Sequence, residues 1–361
     1  MCCVGTSPIL LLSLISNQEF IMSFHRIKSS IIGASVFLSI LLAVSPAFGQ
    51  SEHVESYREA VQRVTDEGFN QGNIDVIDAI FSSDAVIHNA DGSLASVEDF
   101  KHFIATIRAA IPDLEATLNP LITSDAYAGF RFVMTGTFEN AFVMPDGTVI
   151  PPTGMPFSFA QNIIVRFDED GQIVEEWDAG DNLSLLSQLG VIPMPEDAGS
   201  QIVDEPATDG DDTIAPGMEV AHRDVVLRVF DEIINQGNLD VAEEIFASDF
   251  THREGGEMYD LEAWKMVVTT FRAAIPDLEL QPDIVVAEGN YAAVFYTLRG
   301  TQTGEMPLPD GSILPPTGAS LELPSIILIR FDDNGRIVDT WDEYDNMTLL
   351  GQLGLLSEPD A

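Results

Sequence analysis

The sequence predicts an α+β fold: two tandem copies of one domain, each with helices at its N-terminal end followed by a mostly antiparallel sheet. Three observations support this fold class: an internal repeat, amphipathic helical spacing early in each copy, and strand-like runs with turn signals later. Residues 106–115 recur as residues 270–279 with one change, at an offset of 164. Further matches at offsets of 164 or 165 are residues 70–73 with 235–238, 151–154 with 315–318, 166–168 with 330–332, and 177–178 with 341–342.

Amphipathic helices open each copy. In the second copy, apolar residues with helical spacing are Val226, Val229, Phe230 and Ile233. Gly237 can adopt the left-handed conformation that ends this helix, and Asn238 can cap the next one. Gly72 and Asn73 occupy the same positions in the first copy. We therefore expect two helices joined by a tight turn at the start of each domain.

A third helix is predicted over residues 97–110 and 261–274. It ends there because the residue before a proline avoids the helical region. Four strands should follow in the first copy, at residues 114–123, 127–138, 157–167 and 173–178. Asp170-Gly171 and Asn334-Gly335 fit the hairpin turn before the last strand, and a short helix at residues 183–189 closes the copy.

The N-terminal segment has the pattern of a signal peptide. An apolar run follows a short basic stretch and precedes small residues, so residues 1–49 are expected to be removed on export to the periplasm or the extracellular space. Met22 is then the expected start, with residues 1–21 an upstream over-extension. A retained membrane anchor is the alternative. Cys2 and Cys3 both precede the expected cut, so the mature chain would contain no cysteine, which excludes disulfides and thiolate metal sites.

Charge limits the partners of the chain. Its 361 residues include 16 Lys and Arg but 58 Asp and Glu, a net charge of −42. Nucleic acid and anionic membrane surfaces need a cationic face, so we expect neither as a partner, and no stable membrane association after signal cleavage. Residues 195–217, acidic and without Lys or Arg, are predicted to link a first domain at residues 52–194 to a second at 218–358.

The order of motifs resembles a known family. Each copy carries Ile-Pro-Asp-Leu, Gly-Thr, Pro-Pro-Thr-Gly, Arg-Phe, Gly-x-Ile-Val, Trp-Asp and Gln-Leu-Gly, starting in the first copy at Ile111, Gly136, Pro151, Arg166, Gly171, Trp177 and Gln188. This series resembles the SnoaL-like polyketide cyclase (ester cyclase) family of the NTF2-like superfamily, over nearly all of both copies. The resemblance implies a strongly curved sheet backed by helices around an apolar cavity. We expect two such cones packed as an internal pseudo-dimer, with further oligomerisation left open.

The resemblance also implies a chemistry. Cyclases of this family close a ring by an intramolecular aldol condensation, in which a carboxylate or His base in a dry pocket deprotonates a carbon acid. A donor stabilises the enolate oxygen, and no cofactor or metal is required. The implied function is acid–base chemistry on a small apolar carbonyl compound. Because the superfamily also contains binding proteins without activity, a non-catalytic small-molecule binding protein is the alternative.

The residues usual in the family are only partly present. Where the cyclases carry a His after Gly-Thr, the two copies have Phe138 and Gln302. The stretch that aligns with the family's acid–base Asp has no carboxylate in copy one, and Glu322, between Leu321 and Leu323, in copy two. We therefore take Glu322 as the catalytic candidate and copy two as the favoured active half. If Glu322 does not take this role, neither copy is a cyclase of the usual kind.

Two histidines are further candidates. His88 and His252 each follow a Ser-Asp pair at the start of the sheet, where they could line the cavity or serve a structural role. They are displaced by one residue in the repeat, so their neighbours Asn89 and Arg253 are alternative inward groups.

Carboxylates near the last strand complete the candidates. Asp178 and Asp342, beside the repeated tryptophans, are candidates for a base that lines the cavity. Asp181 and Asp345 are more readily explained as caps of the closing helix.

Overall fold

A computed structural model describes residues 48–144, 147–192, 218–308 and 312–356 of the chain. They form two domains of the same design, which we call domain 1 (residues 48–192) and domain 2 (residues 218–356). The predicted signal peptide up to residue 47 and the predicted linker at 195–217 lie outside the described residues. Within the described part, no helix has both the length and the apolar character needed to cross a bilayer.

Domain 1 packs helices against a six-stranded sheet. Its helices are α1 (Phe48–Arg63), continued by a π-helical segment at Val64–Asn70, α2 (Asp75–Ile80), α3 (Val97–Ala110) and α4 (Asn182–Gln188). Its strands are β1 (Phe81–His88), β2 (Leu94–Ser96), β3 (Glu115–Ser124), β4 (Tyr127–Thr137), β5 (Phe142–Val143), β6 (Val149–Ile150), β7 (Pro156–Phe167) and β8 (Ile173–Ala179). The sheet order is β2-β1-β8-β7-β4-β3, antiparallel except between β1 and β8, and β5 pairs with β6 alone.

Domain 2 repeats this plan. Its helices are α5 (Met218–Arg228), with a π-helical continuation at Val229–Asn235, a 3₁₀ turn at Leu239–Val241, α6 (Ala242–Ile245), α7 (Leu261–Ala274) and α8 (Asn346–Gln352). Its strands are β9 (Phe246–Glu254), β10 (Glu257–Tyr259), β11 (Glu279–Glu288), β12 (Tyr291–Thr301), β13 (Met306–Pro307), β14 (Ile313–Leu314), β15 (Ser320–Phe331) and β16 (Ile337–Tyr344). The sheet order is β10-β9-β16-β15-β12-β11. The predicted α+β repeat is confirmed.

The local signals for helices were reliable except at one cap position, which failed in both copies. The predicted third helices coincide with α3 and α7, and Gly72 and Gly237 adopt φ values of +74° and +75° as expected. The capping role of Asn73 and Asn238 was wrong. The Asn73 side chain donates to Glu67 (3.2 Å) instead, and Asn238 makes no side-chain capping bond.

Register shifts shape each sheet. Pairing slips by a bulge or irregularity in β1, β3, β9 and β11. Such bulges bend a strand and increase its twist, which allows the sheet to curl around the apolar core under the helices. In domain 1 that core includes Ile104 and Ile107 of α3, both essentially without solvent exposure.

The repeated Asn-Gln-Gly-Asn motif has a structural role. Asn70 accepts a hydrogen bond from the backbone N–H of Ala116 (2.7 Å) and donates to its carbonyl (2.9 Å). Asn235 does the same with Leu280 at 2.8 and 2.9 Å. Each asparagine therefore ties the end of the first helix to the neighbouring edge strand, where its side chain replaces a missing strand partner.

The two domains pack through the faces of their sheets that point away from the helices. β3 contacts β11, β7 contacts β15, and α4 contacts α8, so each element meets its own repeat equivalent. The shared apolar cluster contains Ile122, Ile164, Ala179, Val286, Tyr291, Ala293, Ile326, Leu328 and Trp341. This arrangement is consistent with the predicted internal pseudo-dimer.

Asn70→Ala should destabilise domain 1 by about 2 kcal/mol, because the buried backbone groups of Ala116 lose both partners. Asn73→Ala is the matched control, since its one side-chain bond, to Glu67, is exposed. Urea unfolding of the full chain measures both. Equal effects of the two substitutions would contradict the role given to Asn70.

Candidate functional site

Domain 1 encloses a cavity of about 280 Å³ between its helices and its sheet. Seven phenylalanines line it: Phe69, Phe81, Phe100, Phe103, Phe130, Phe132 and Phe159. Valine, isoleucine and leucine side chains complete most of the wall. An apolar cavity of this kind holds few waters and favours a small, largely apolar guest.

Two carboxyl groups reach this cavity from β8. Glu176 and Asp178 both line it, because alternate residues of a strand share one face of the sheet. Glu176 is 5% exposed, and among the described residues no group donates a hydrogen bond to its carboxyl. Asp178 accepts one bond, from the backbone N–H of Ala90 (2.8 Å). Glu176 is thus a buried polar side chain without a protein partner in the described structure.

Burial sets the protonation of this pair. It raises the pKa of Glu176 to about 8, and the nearby charge of Asp178 adds to the rise. Burial also raises the pKa of Asp178 to about 7, against the opposing effect of the bond from Ala90. Both carboxyl groups therefore keep their protons to a higher pH than exposed carboxyls do, with Asp178 the more acidic of the two, and they titrate as a coupled pair.

The rest of the polar lining is uncharged or acidic. Asn89, Gln161 and Asn182 place amide groups at the cavity, and Asp91 and Asp99 lie at its exposed rim. Among the described lining residues there is no Lys, Arg or His. Amides and a protonated carboxyl can bind a neutral polar group, whereas an anion would find no counter-charge.

Domain 2 keeps much less open space in the same position. Two adjoining pockets of about 40 and 90 Å³ replace the single cavity. Phe250 and Tyr344, which line them, stand where domain 1 has Ala85 and Gly180. Larger side chains therefore fill the interior of domain 2.

The polar groups of domain 2 are bonded to one another. His252 contacts Thr340 Oγ1 through Nδ1 (2.8 Å) and Glu254 Oε2 through Nε2 (3.1 Å). Tyr296 donates its hydroxyl to both carboxyl oxygens of Asp342, at 3.0 and 2.8 Å. Burial raises the pKa of Asp342 to about 7, but this carboxyl, unlike that of Glu176, has a side-chain donor.

Three of the predicted site residues line cavities: Asp178 in domain 1, and His252 and Asp342 in domain 2. His88 does not. It lies on the other face of the sheet, where it stacks on Trp177 with ring centroids 5.3 Å apart and contacts Glu175 (3.1 Å). The one-residue displacement explains this difference between the two histidines.

The residues next to the histidines also lie on one face of the sheet or the other according to their position along the strand. Arg253, the repeat equivalent of His88, lies over the Trp341 ring at 5.1 Å and donates to Asp339 (2.6 Å). Asn89, in contrast, lines the domain 1 cavity. Of the two alternative inward groups, only Asn89 is therefore at the cavity.

The catalytic assignment of Glu322 needs correction. Its side chain is 67% exposed and accepts a hydrogen bond from Arg299 (2.8 Å), whereas the adjacent Leu321 and Leu323 are buried. Side-chain alternation therefore turns Glu322 away from the cavity, where it cannot reach a guest. The preference for copy two as the active half loses its main support.

The positions that replace the family's His are structural. Phe138 is 1% exposed and belongs to the domain 1 core. Gln302 is fully buried and accepts hydrogen bonds from the Thr317 backbone N–H (2.5 Å) and hydroxyl (2.6 Å), which holds the Pro-Pro-Thr-Gly loop. Neither residue lines a described cavity.

The capping prediction for the closing helices is confirmed. Asp181 accepts from the Leu183 N–H (3.0 Å), and Asp345 accepts from those of Met347 and Thr348 (3.2 and 3.1 Å).

Glu176 was missed from the sequence. The available signal was its position two residues before Asp178, which places both on one face of a strand.

Comparison with known proteins agrees with this architecture. The family model described as SnoaL-like polyketide cyclase matches residues 59–189 and 224–353. Comparison with curated proteins gave no match.

Several solved structures resemble part of the chain. AclR from Streptomyces galilaeus is 23% identical, with 40% of this chain and 87% of that one aligned and a TM-score of 0.35. IdmH from Streptomyces antibioticus is 27% identical, with 37% and 98% aligned and a TM-score of 0.31. TsrD from Streptomyces laurentii is 22% identical, with 40% and 100% aligned and a TM-score of 0.33.

Glu176→Gln should gain stability relative to the unmodified protein as pH rises. The folded state holds the Glu176 proton up to about pH 8, whereas the unfolded side chain ionises near its ordinary pKa of 4.5, so the folded state is destabilised progressively between these values. We expect a relative gain on the order of 3 kcal/mol between pH 5 and pH 8. Urea unfolding at several pH values measures it, with the exposed Glu322→Gln as control. Parallel pH dependences of Glu176→Gln and the unmodified protein would contradict the raised pKa.

Proposed function

The chain belongs to the SnoaL-like polyketide cyclase family, and on that premise we propose that it is an exported enzyme using cofactor-free acid–base chemistry. The substrate is a small, apolar carbonyl compound bound in the domain 1 cavity. One observation carries the proposal: Glu176 and Asp178, both with raised pKa values, share an apolar cavity. Perturbed carboxyl groups in a cleft are typical of acid–base sites.

Asp178 and Glu176 have different roles in forming the enolate. The Asp178 carboxylate removes a proton from the carbon beside the substrate carbonyl, and the electron pair of the C–H bond moves to form the enolate. Glu176 donates a hydrogen bond to the enolate oxygen. Residues two apart on a strand lie roughly 7 Å from each other, which leaves room for the substrate between base and donor. The enolate carbon then attacks a second carbonyl of the same molecule, and the proton held by Asp178 ends on the new alkoxide.

The cavity wall selects the substrate and raises the pKa values of the carboxyl groups. Phenylalanine side chains make the cavity apolar, which disfavours the charged form of each carboxyl. Because the described lining residues include no Lys, Arg or His, anionic substrates are disfavoured. A cavity of about 280 Å³ accommodates one or two fused rings but not a long chain.

Domain 1 rather than domain 2 carries this chemistry. Asp342, the repeat equivalent of Asp178, is held by Tyr296, and Thr340 replaces Glu176. The aromatic side chains of domain 2 leave too little room for the same substrate.

Asp178→Asn should slow α-proton exchange at least 100-fold, because an amide cannot act as a base. The probe is a panel of small cyclic and aryl ketones in D₂O, with deuterium incorporation followed by NMR. Asp342→Asn, the same change at the repeat equivalent, should leave the rate unchanged. If Asp178→Asn exchanges the ketones as fast as the unmodified protein, Asp178 is not the base.

The pH profile of that exchange should be bell-shaped, with limbs near pH 7 and pH 8. The acid limb arises because Asp178 must be ionised, and the alkaline limb because Glu176 must be protonated. Glu176→Gln keeps a hydrogen-bond donor but cannot ionise, so the alkaline limb should disappear in that variant. An unchanged alkaline limb would contradict the assignment of Glu176.

A binding protein without activity remains the second candidate. It is favoured by Phe138 and Gln302, which stand where the family usually has a His and lie in the core and a loop. Native mass spectrometry of protein from the exported fraction of its host separates the two. Retained ligand together with no ketone exchange would support the binding protein.

A further inference from the structure

The two domains meet at their interface in an approximately two-fold symmetric arrangement. Gly129 and Ala293 are repeat equivalents, and a Cβ added to Gly129 would come within 2.5 Å of the Ala293 Cβ. A residue meets its own equivalent only on the axis of a two-fold arrangement. On such an axis, a pair of identical domains would present identical residues to each other.

The residues on the axis are not interchangeable. One glycine and one alanine fit, whereas two alanines would place their Cβ atoms at the 2.5 Å separation that Gly129 avoids. Two copies of domain 2 could therefore not approach each other as closely as domain 1 approaches domain 2.

A buried ion pair lies on one side of the axis, and the equivalent positions on the other side are apolar. Arg131 of β4 donates to Glu343 of β16 (2.9 Å), and their side chains are only 9% and 14% exposed. Their repeat equivalents are Phe295, which packs against the shared apolar cluster, and Ala179, which belongs to it. Two copies of domain 1 would set each Arg131 against Ala179, and two copies of domain 2 would set each Glu343 against Phe295. Each self-pair would bury a charge without a counter-charge.

A third asymmetry involves Asn162, which is fully buried. Its side chain accepts from Arg131 (3.1 Å) and donates to the carbonyls of Ile326 (2.8 Å) and Trp341 (2.9 Å) in domain 2. The repeat equivalent of Asn162 is Ile326, which has no side-chain polar group. The polar contacts across the interface thus come from different residues on its two sides.

We propose that this face is self-excluding: each domain accepts the other domain as its partner and rejects a second copy of itself. The partner that fits either face is the other repeat, from the same chain or from a second copy of the chain. The selection rests on Gly129 against Ala293, on Arg131 against Glu343, and on Asn162 against the domain 2 backbone. It keeps one open cavity in every pair of domains.

The test begins with the full chain, carrying a protease site between residues 192 and 218, cut after folding. The cut protein is diluted, reconcentrated and examined by native mass spectrometry, which distinguishes the two fragments by mass. We expect mixed pairs of one domain 1 and one domain 2 fragment. Self-pairs of either fragment, or fragments that do not pair at all, would overturn the proposal.

A variant in which the three asymmetric polar residues are replaced tests whether they prevent self-pairing. Arg131→Phe, Asn162→Ile and Glu343→Ala together give each position the residue of its repeat equivalent. Self-pairs of domain 1 should then appear beside the mixed pairs. Mixed pairs alone would overturn the assignment to these residues.

A single substitution covers the case in which the triple variant does not fold. The cut Glu343→Ala protein should dissociate at a higher concentration than the unmodified cut protein, since Arg131 is left buried and unpaired. Glu322→Ala, which breaks an exposed ion pair with Arg299, is the control and should have no effect. Equal dissociation of the two variants would contradict the proposal.

Discussion

Side-chain alternation along β8 determines which of its residues line the domain 1 cavity and which contact domain 2. Glu176 and Asp178 point into the cavity, while Trp177 and Ala179 belong to the apolar contact with domain 2. The strand that carries the carboxyl groups is therefore covered by apolar side chains on one face and by a second domain on the other. This double burial is the physical reason for the raised pKa values, because neither face offers water to the charged forms.

The two copies differ in whether the space between helices and sheet is filled by side chains or left open. An internal cavity lowers stability because its walls lose packing contacts. Domain 2 fills the space with Phe250 and Tyr344 and satisfies Asp342 through Tyr296. Domain 1 keeps Ala85 and Gly180, and with them an open cavity and a Glu176 carboxyl that has no hydrogen-bond donor among the described residues. The filled copy packs on the outer face of the strand that carries Glu176 and Asp178 in the open copy.

Much of the fold could be predicted from the sequence because the signals are local. The proline after Ile111 ends α3 at the predicted residue, and Gly72 ends the first helical segment. The site was harder, because the facing of a strand residue depends on tertiary packing. Glu176 has acidic neighbours that suggest a solvated strand, whereas the packing of the helices over the sheet buries its side chain at the cavity. Glu322 was assigned by motif position, although the leucines on both sides of it already indicated the outward face.

The central claim is that a buried, protonated Glu176 stands beside an ionised Asp178. A titration of ¹³C-carboxyl-labelled glutamate by NMR tests it most directly, with the Glu176 resonance identified by its absence in Glu176→Gln. The account predicts that this carboxyl remains protonated through pH 7 and titrates near pH 8. A midpoint near 4.5, the ordinary pKa of an exposed glutamate, would contradict it.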